Sequence, residues 1–378
     1  MLKTRPTLLL TGGTGYVGSE LLKLLRAAKP DQHIAVLTRQ AHNLTELKSL
    51  DIVPLQGDII DPSLALDYTT YGELNESTEC IVHCAADTRF SLSLKDARAV
   101  NAEGTRNLLR FARSCRRLKK FAHLSTVYVV GKATGYFVEA PIRHQRSYLN
   151  TYQQSKHEAE ELVTEAMSHL PACIFRLSSI IGDSRTGRVG QFNHVHRLIR
   201  LFPRNHLPMI PASPETRVDL IASDWAMPAL AALFDSDFVP GRFYHICAGP
   251  SQSLTVEGMI EAMLAIFESH PMARRWLPIR VPELVSLDCY EHFVERNRSS
   301  RDPLLNELLK VLGYFLPHLA LFQVFDNQET LKTLAKSGLG LPSTKTSFEK
   351  VVHYCLETNW GSRCRSRFGE SPLSHQTC

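Results

Sequence analysis

The chain has 378 residues, of which 44% are hydrophobic and 21% charged, and its formal net charge at pH 7 is +5. This length and composition predict a globular protein with a substantial core, built as one large domain or two closely joined ones. The mild charge gives no support to nucleic-acid binding, because the basic residues clustered over 110–120 lie where a helix ends and cations favour helix C-termini.

A glycine-rich turn, Thr11-Gly12-Gly13-Thr14-Gly15-Tyr16-Val17-Gly18, follows the first predicted strand, Leu8–Thr11, and opens a helix predicted over Gly15–Ala28. Glycines let the chain turn tightly and let a phosphate approach the N–H groups of a helix N-terminus. Between a strand and a helix, the pattern predicts a dinucleotide pyrophosphate site, although a tight turn without a ligand can have the same spacing.

Strands and amphipathic helices alternate through the first half of the chain. Further strands are predicted at His33–Thr38, Ile52–Gln56, Cys80–Cys84, Lys120–Leu124 and Cys173–Leu177, with helices that include Lys95–Cys115 and Thr151–Ser168. Short apolar strands separated by helices predict an α/β fold, a doubly wound parallel sheet of the Rossmann type.

The end of the second strand bears on the choice of dinucleotide. An NAD site usually has an acidic residue there, but this chain has Arg39. A guanidinium can pair with the 2′-phosphate of NADP, so NADP(H) is favoured over NAD(H). The alternative is an exposed arginine at a strand end.

Two further segments are candidates for the cofactor site. Asp58 follows the third strand and could accept a hydrogen bond from the adenine amino group, although an acidic turn residue is, taken alone, the commoner explanation. The small residues Ala85 and Ala86, after Cys84, would let a cofactor lie close to the backbone. His83 is interpreted as a packed strand histidine.

The reactive group of residues lies downstream. Tyr152 and Lys156 stand four residues apart at the start of a helix, so they share one face. A lysine cation beside a tyrosine, together with a nicotinamide, favours the phenolate and lowers a pKa that is ordinarily near 10. Ser125 and Thr126 end the fifth strand, where a hydroxyl could hold a carbonyl oxygen opposite the tyrosine.

The alternation ends after Gly182. Residues 1–182 are predicted to form the dinucleotide-binding domain, to which 216–248 return through a helix at Ser223–Phe234 and a strand at Phe243–Ile246. Residues 183–215 and 249–360 are predicted to form a smaller, mainly helical substrate-binding domain. Residues 361–378 are polar and predicted to be a disordered tail.

The cysteines and the apolar segments complete the overview. Nine scattered cysteines without metal-ligand spacing predict reduced thiols, no metal site and a cytoplasmic location. The most apolar stretch, residues 311–325, is too short to cross a membrane and contains Pro317, so no transmembrane segment is predicted.

Together these residues resemble the extended short-chain dehydrogenase/reductase superfamily over nearly the whole chain. The resemblance rests on Thr11–Gly18, Asp58, His83–Ala86, Asn101 with Gly104-Thr105, Ser125-Thr126, and Tyr152 with Lys156. It implies an enzyme with tyrosine as acid-base residue, lysine on the nicotinamide ribose and a hydroxyl orienting the carbonyl. The catalytic residues it implies are Tyr152, Lys156 and Thr126, with Ser125 as neighbour and substitute. Asn101 is expected to head a helix in a structural role.

The pattern and the resemblance together predict a set of cofactor-binding residues. They are Gly12, Thr14, Gly15, Tyr16, Val17, Gly18, Arg39, Asp58, Ile59, Cys84, Ala85, Ala86, Tyr152, Lys156 and Ile180. The runs His83–Phe90, Asn101–Thr105, Leu124–Val129 and Tyr152–Glu160 are most similar to the thioester reductase and fatty acyl-CoA reductase branch. One departure is Leu177, where the superfamily often has proline.

This resemblance implies an NADPH-dependent reductase of an acyl thioester, bound to CoA or a carrier, or of the derived aldehyde. The apolar residues Leu304, Leu305, Leu308, Leu309, Leu312 and Phe315 could line an acyl pocket or form an ordinary core stripe. The arginines Arg185, Arg188, Arg197, Arg200 and Arg204 could meet phosphates of the arm or form a solvated face.

Two other functions stay open. One keeps the chemistry but acts on a ketone, a secondary alcohol or a nucleotide sugar, as reductases, dehydrogenases and epimerases of this superfamily do. The other is a catalytically silent NADP-sensing protein, which the presence of both Tyr152 and Lys156 disfavours. A homodimer is an open alternative for the assembly.

Overall fold

A seven-stranded parallel sheet forms the centre of the molecule in the computed structural model. The structure describes residues 5–362, except 41–50, 144–146, 206, 236, 299, 301–304, 307–308 and 310–312. The strands are β1 (Thr7–Thr11), β2 (His33–Thr38), β3 (Val53–Gln56), β4 (Thr78–His83), β5 (Lys120–Thr126), β6 (Gly135–Phe137), β7 (Ala172–Leu177), β8 (Ser179–Gly182), β9 (Met209–Pro211), β10 (Arg217–Val218), β11 (Leu220–Ala222), β12 (Phe243–Ile246), β13 (Leu254–Thr255), β14 (Glu283–Val285) and β15 (Gln323–Phe325).

Helices cover the sheet and build most of the C-terminal part. The α-helices are α1 (Tyr16–Ala28), α2 (Tyr68–Ser77), α3 (Leu94–Arg98), α4 (Gly104–Ser114), α5 (Thr151–Ala166), α6 (His194–Leu201), α7 (Ser223–Asp235), α8 (Gly249–Gln252), α9 (Val256–Ser269), α10 (Leu287–Asn297), α11 (Gln328–Leu334) and α12 (Thr344–Glu357). Short 3-10 turns include Val127–Val130, Phe202–Arg204, Pro271–Trp276 and Leu316–Ala320.

The order of the strands confirms the predicted doubly wound sheet. It runs β12-β7-β5-β4-β1-β2-β3, and every neighbouring pair is parallel. The chain moves outward in one direction from β1 to β3 and in the other from β4 to β12. The carboxyl ends of β1 and β4 therefore flank the point where the order reverses, which is where ligands bind in such sheets.

Burial explains why these segments form central strands. All five residues of β1 and all six of β7 are buried, as expected for strands covered by helices on both faces. One hydrophobic cluster packs α1 and α7 on one face, and another packs α4 and α5 on the opposite face. A third cluster joins residues from 181–220 and 254–356, away from the sheet.

The helix predicted over Lys95–Cys115 contains a π turn. Residues Ala99–Glu103 form that turn between α3 and α4. Asn101 lies inside it, so the expectation that Asn101 heads a helix is wrong. Its side chain accepts from the Asp87 N–H at 2.8 Å and donates to the Asp87 carbonyl and to Ser155 Oγ, both at 2.9 Å. These hydrogen bonds connect the π turn to the segment after β4 and to α5.

The later segments contribute to the sheet and to the site. β12 extends the sheet by pairing with β7, and β15 pairs in parallel with β6.

The domain boundaries placed at 182, 215 and 248 stay predictions. The predicted tail lies outside the described residues except for Gly361 and Ser362, as do Leu304, Leu308 and Leu312 of the apolar stripe.

Candidate active site

The glycine-rich turn connects β1 to α1 at the carboxyl edge of the sheet. Gly12 has a φ of +74°, in the left-handed region that favours glycine. The Gly15 N–H donates to the Gly12 carbonyl at 3.0 Å, and the Ser19 N–H donates to the Gly15 carbonyl at 2.8 Å. Gly15 is the N-cap of α1, and among the described residues no side chain caps it. The N–H groups of the first turn can therefore receive an anion.

The packing of this turn fits a dinucleotide. A Cβ at Gly12 would lie 2.5 Å from the Ala85 nitrogen, and a Cβ at Gly18 would lie 2.2 Å from the Gly12 carbonyl oxygen. Neither position tolerates a side chain. A Cβ at Gly15 would lie 3.4 Å from the Gly12 carbonyl oxygen, which is an ordinary contact. Gly15 is exposed, so a side chain at this position would occupy the open space in front of α1. An open space in front of a helix N-terminus, with unpaired N–H groups, fits a pyrophosphate.

The other residues predicted at this turn lie around it. Thr14 is exposed, and Val17 packs against the cluster formed by α1 and α7. The Tyr16 ring covers Gly190, where an added Cβ would lie 2.4 Å from Tyr16 Cε2. Burial raises the pKa of Tyr16, opposed by a hydrogen bond with Ser223. The segment after β8 therefore reaches the cofactor turn.

Arg39 is exposed just after β2, near the end of β4. Burial acts to raise the pKa of Asp87, but hydrogen bonds from Arg89 and the nearby charge of Arg39 outweigh it, so that pKa is lowered. Arg89 holds Asp87 with contacts of 2.6 to 3.2 Å. Two arginines thus lie beside the switch point of the sheet.

Asp58 and Ile59 form the turn after β3. The Asp58 Oδ1 accepts a hydrogen bond from the Ile60 N–H at 3.1 Å, which is a turn contact of the kind expected for aspartate. Ile59 is buried against α4, because a Cβ at Gly104 would lie 2.7 Å from its Cδ1. These residues line the sheet edge on the β2–β3 side.

The residues after β4 run close to the glycine-rich turn. The Cys84 N–H donates to the Thr11 carbonyl at 3.1 Å, and the Ala85 N–H donates to Thr11 Oγ1 at 3.3 Å. Burial raises the pKa of the Cys84 thiol to about 12, so the thiol is protonated at neutral pH. Ala86 is half-buried. His83 is buried with its Nδ1 2.8 Å from Thr11 Oγ1, which agrees with a packed strand histidine.

Tyr152, Lys156 and Thr126 converge at the carboxyl end of β5. Tyr152 and Lys156 lie one turn apart in the first half of α5, and Thr126 is the last residue of β5. The Lys156 Nζ donates to the Leu124 carbonyl at 2.6 Å and lies 3.3 Å from the His123 Nε2. The first turn of α5 is capped by Asn150. The two contacts of Nζ hold the Lys156 side chain against β5, on the face of α5 that also carries Tyr152.

Burial shifts the pKa values of both Tyr152 and Lys156. Burial raises the pKa of Tyr152 to about 12, and a hydrogen bond with Thr126 only partly opposes it. Burial lowers the pKa of Lys156 to about 8, opposed by the charge of Glu160. Desolvation of the phenolate is the largest effect on the pKa of Tyr152, and the lowering expected from Lys156 together with a nicotinamide stays a prediction. Tyr152 is a neutral phenol at pH 7.

Ser125 and Thr126 point in different directions, as neighbours on a strand do. The Ser125 Oγ donates to Glu160 Oε2 at 2.7 Å. Glu160 in turn forms a buried ion pair with Arg176 on β7. Ser125 is thus occupied by this pair, and Thr126 is the hydroxyl beside Tyr152.

The backbone after β7 continues beside the site. Leu177 is buried at the end of β7, and the Ser178 N–H donates to the Ile246 carbonyl at 3.0 Å. The pairing with β12 therefore continues one residue beyond Leu177. Ile180 in β8 is half-buried, and its carbonyl accepts from Asn193 Nδ2 at 2.9 Å. That bond ties β8 to the start of α6.

An aromatic pocket adjoins Tyr152. Its lining residues come from five separate parts of the chain: Phe90, Tyr128, Tyr152, Gln153, His194, Phe315 and His318. Phe90, Tyr128, Tyr152 and Gln153 lie in the runs that carry the family resemblance, and Phe315 lies in the apolar stripe. His194 and His318 carry no motif, and their proximity to the others depends on the packing of the segment at 313–320 against α5 and α6.

A second cleft lies at the far end of α6. It is lined by Pro203, Arg204, Asn205, Arg275, Trp276, Leu277, Pro278 and Arg280. The guanidinium carbons of Arg275 and Arg204 lie 4.4 and 5.8 Å from the centroid of the Trp276 ring. Burial and the charges of Arg200 and Arg275 lower the pKa of Arg204, and its Nε is buried without a hydrogen-bond partner among the described residues. Arg185, another of the arginines considered for the phosphates of the arm, does not line this cleft. Its guanidinium lies 3.9 Å from Asp183 Oδ2 and 3.7 Å from Asp224 Oδ2.

Metal-binding clusters and membrane-spanning helices are both missing from the described part of the chain. It contains no group of three or more His, Cys, Asp or Glu side chains arranged to hold a metal ion. Within the same ranges, no helix has both the length and the apolar character needed to cross a bilayer.

Known proteins resemble this chain over most of its length. Residues 10–230 match the profile of an NAD-binding family described as male sterility protein. A non-canonical nonribosomal peptide synthetase, cpsA of Aspergillus campestris, is 24% identical over 373 residues, which cover 84% of this chain and 34% of that protein. Fatty acyl-CoA reductase 1 of Pongo abelii is 33% identical over 142 residues, 32% of this chain and 28% of that protein. The chain thus spans about a third of the length of these curated relatives.

Solved structures share the fold. The terminal R domain from the myxalamid PKS-NRPS biosynthetic pathway is 27% identical with a TM-score of 0.76, covering 94% of this chain and 92% of that one. The UDP-glucuronic acid 4-epimerase from Bacillus cereus has a TM-score of 0.63 at 16% identity, covering 94% and 99%. The latter similarity concerns the fold alone.

Proposed function

Because the chain belongs to the male sterility family of NAD-binding proteins, within the extended short-chain dehydrogenase/reductase superfamily, we propose that it reduces an acyl thioester with NADPH. The product is an aldehyde, which the same site can reduce further. The observation that carries the proposal is that Thr126, Tyr152 and Lys156 lie together at the carboxyl end of β5, on the same sheet edge as the glycine-rich turn and two strands from it.

The chain has residues for each part of the cofactor. The N–H groups at the start of α1 receive the pyrophosphate, and Gly15 keeps the space before the helix open. Arg39 would pair with the 2′-phosphate, and Asp58 would accept a hydrogen bond from the adenine amino group. Lys156 would bind the nicotinamide ribose. When bound, the nicotinamide supplies the hydride for the reduction.

The chain's own residues handle the carbonyl and the proton. Thr126 donates a hydrogen bond that orients the carbonyl oxygen, and Tyr152 gives its phenolic proton to that oxygen as the carbon is reduced. A pKa of about 12 keeps Tyr152 in the protonated form that this step requires at pH 7. The product of the first step is a hemithioacetal, which collapses to the aldehyde as the carbon–sulfur bond breaks and the thiol leaves.

The arginine-lined cleft supports a substrate carried on a phosphorylated arm. Arginine pairs well with phosphate, and Arg204 and Arg275 have no carboxylate partner among the described residues. The cleft begins just after α6, whose first residue, His194, lines the aromatic pocket. Eight helical residues span about 12 Å, so one structural element links the two sites. We propose that the cleft holds the arm's phosphate.

The proposed function is tested by NADPH oxidation against a panel of acyl-CoA thioesters, aldehydes, ketones and nucleotide sugars. We expect turnover with thioesters and with the matching aldehydes. Turnover with ketones or nucleotide sugars alone would favour the alternative dehydrogenase or epimerase activity. Thiol release, followed by a colorimetric reagent, separates thioester reduction from reduction of contaminating aldehyde.

A further inference from the structure

The Lys156 ammonium contacts two acceptors on β5, a backbone carbonyl and an imidazole. Its Nζ donates to the Leu124 carbonyl at 2.6 Å and lies 3.3 Å from the Nε2 of His123. Both side chains are buried, with Lys156 3% exposed and His123 0%. An ammonium group has three N–H donors and no acceptor. The carbonyl and Nε2 take two of these donors, which leaves the third for a bound cofactor.

This contact determines the tautomer of His123. Because the Lys156 ammonium can only donate, Nε2 must be the unprotonated nitrogen, and the ring proton lies on Nδ1. His123 Nδ1 is buried and has no hydrogen-bond partner within the described ranges. Burial, followed by the charge of Lys156 and that of His83, lowers the pKa of His123 well below its usual range. The imidazole is therefore a neutral acceptor at pH 7.

The neighbouring strand histidine is bound differently. His83 is also buried, and its ring centroid lies 5.2 Å from that of His123. Its Nδ1 lies 2.8 Å from Thr11 Oγ1, and its Nε2 lies 3.0 Å from Thr105 Oγ1. Burial lowers the pKa of His83 to about 3, so this ring is neutral as well. Both nitrogens of His83 are thus occupied by hydroxyl groups, and the imidazole that contacts the ammonium is His123.

The other titratable groups around Lys156 leave its charge in place. Glu160 lies one turn further along α5 and acts to raise the pKa of Lys156, but its carboxylate pairs with Arg176. The Cys84 thiol after β4 acts in the same direction, and its own pKa of about 12 keeps it protonated. Tyr152 is a neutral phenol for the same reason. The ammonium is therefore anchored by neutral groups and keeps its positive charge for the cofactor.

We propose that His123 is a positioning residue, a neutral acceptor that directs the Lys156 ammonium so that one N–H donor remains for the nicotinamide ribose. This inference rests on the cofactor site of the proposed function and is independent of the substrate. A carboxylate in place of the imidazole would neutralise the ammonium, whereas a neutral imidazole only orients it. Removing the acceptor takes away a hydrogen bond made to the charged form, so the pKa of Lys156 should fall further.

Two substitutions separate the acceptor from the bulk of the side chain. A glutamine Oε1 lies about where histidine has Nε2, so His123→Gln keeps an acceptor and His123→Leu removes it. The affinity of the full chain for NADPH would be measured by fluorescence titration as a function of pH. We expect the wild-type affinity to fall above about pH 8, where Lys156 loses its proton. The midpoint of this fall should move down by about one pH unit in His123→Leu, a tenfold change in proton affinity, and by less than about half a unit in His123→Gln.

A matched control and a second variant complete this test. His83→Gln changes an equally buried histidine whose nitrogens contact hydroxyl groups, and should leave the midpoint within about half a pH unit of the wild type. If His123→Leu fails to fold, His123→Asn provides the same test, because its shorter side chain cannot bring an oxygen to the position of Nε2. An unmoved midpoint in the variant that folds, or the same shift in His123→Gln, would overturn the proposal.

The tautomer of His123 gives a test that needs no cofactor. Nitrogen NMR of the histidine-labelled chain reports which ring nitrogen carries the proton, and the spectrum of His123→Gln identifies the signals of His123. We expect a neutral ring with its proton on Nδ1 at pH 7. A proton on Nε2, or a charged ring, would overturn the proposal, because Nε2 could then not accept from Lys156.

The outcome for His123 is separable from that for the reaction. The expected tautomer and midpoint shift, without reduction of any thioester, would contradict the proposed function and support the role of His123. Reduction of thioesters with an unmoved midpoint in His123→Leu would support the reaction and overturn that role.

Discussion

Removing one partner of the buried ion pair behind the active site is expected to be strongly destabilising. Glu160 and Arg176 have side chains that are 4% and 1% exposed, and they join α5 to β7. Ser125 adds a hydrogen bond to Glu160, and the Arg176 guanidinium also lies 3.0 Å from His245 Nε2 and 5.0 Å from the Phe243 ring centroid. Little water can therefore compensate a charge left unpaired here.

Glu160→Gln removes the negative charge with almost no change of shape. Leaving one member of a buried pair uncompensated costs about 3–5 kcal/mol. The glutamine oxygen can still accept a hydrogen bond from Arg176, so we expect a loss near the lower end, about 3 kcal/mol. Because α5 also carries Tyr152 and Lys156, kcat should fall as well.

The free energy of unfolding would be measured by denaturant titration, with comparison of midpoints at constant slope. Glu20→Gln is the matched control, because the Glu20–Lys23 pair is exposed and should change stability by less than about 1 kcal/mol. A loss for Glu160→Gln as small as that of the control would refute the reasoning that desolvation dominates at this pair.

Three further predictions concern cofactor, pH and substrate arm. Arg39→Ala should weaken NADPH binding by about 10- to 100-fold and leave NADH binding unchanged, as measured by fluorescence titration; an unchanged preference would remove its phosphate role. Because the pKa of Lys156 is lowered to about 8, its ammonium is lost as the pH rises through that value. We expect kcat/KM to fall above about pH 8 and Lys156→Arg to move that limb upward; an unmoved limb would point to another group. Arg275→Ala should raise KM about tenfold for acyl-phosphopantetheine but not for acyl-pantetheine, and an equal effect on both would exclude phosphate binding in the cleft.

Local patterns made the fold and the cofactor turn predictable. The strand β1, the turn to Gly18 and the helix α1 are contiguous, and the predicted strands of the sheet differ from the observed ones by at most two residues at either end. The i, i+4 spacing of Tyr152 and Lys156 likewise needs no information from elsewhere in the chain.

Features that depend on distant partners were not predictable. Ser125 is directed by Glu160, 35 residues away, and the π turn at Ala99–Glu103 accompanies hydrogen bonds from Asn101 to Asp87 and Ser155. The pKa of Tyr152 depends on burial, which the spacing of residues does not report. The aromatic pocket needs the segment at 313–320 to pack beside α5, and no sequence periodicity indicates that contact.

The central claim is that Tyr152 donates the proton during reduction of a thioester. The most direct measurement is single-turnover oxidation of NADPH by Tyr152→Phe with an acyl thioester, alongside NADPH affinity. Tyr244→Phe, which removes a buried hydroxyl outside the site, is the control. The account predicts a rate lower by about 100- to 10,000-fold with NADPH affinity unchanged. A rate equal to that of the control would contradict it.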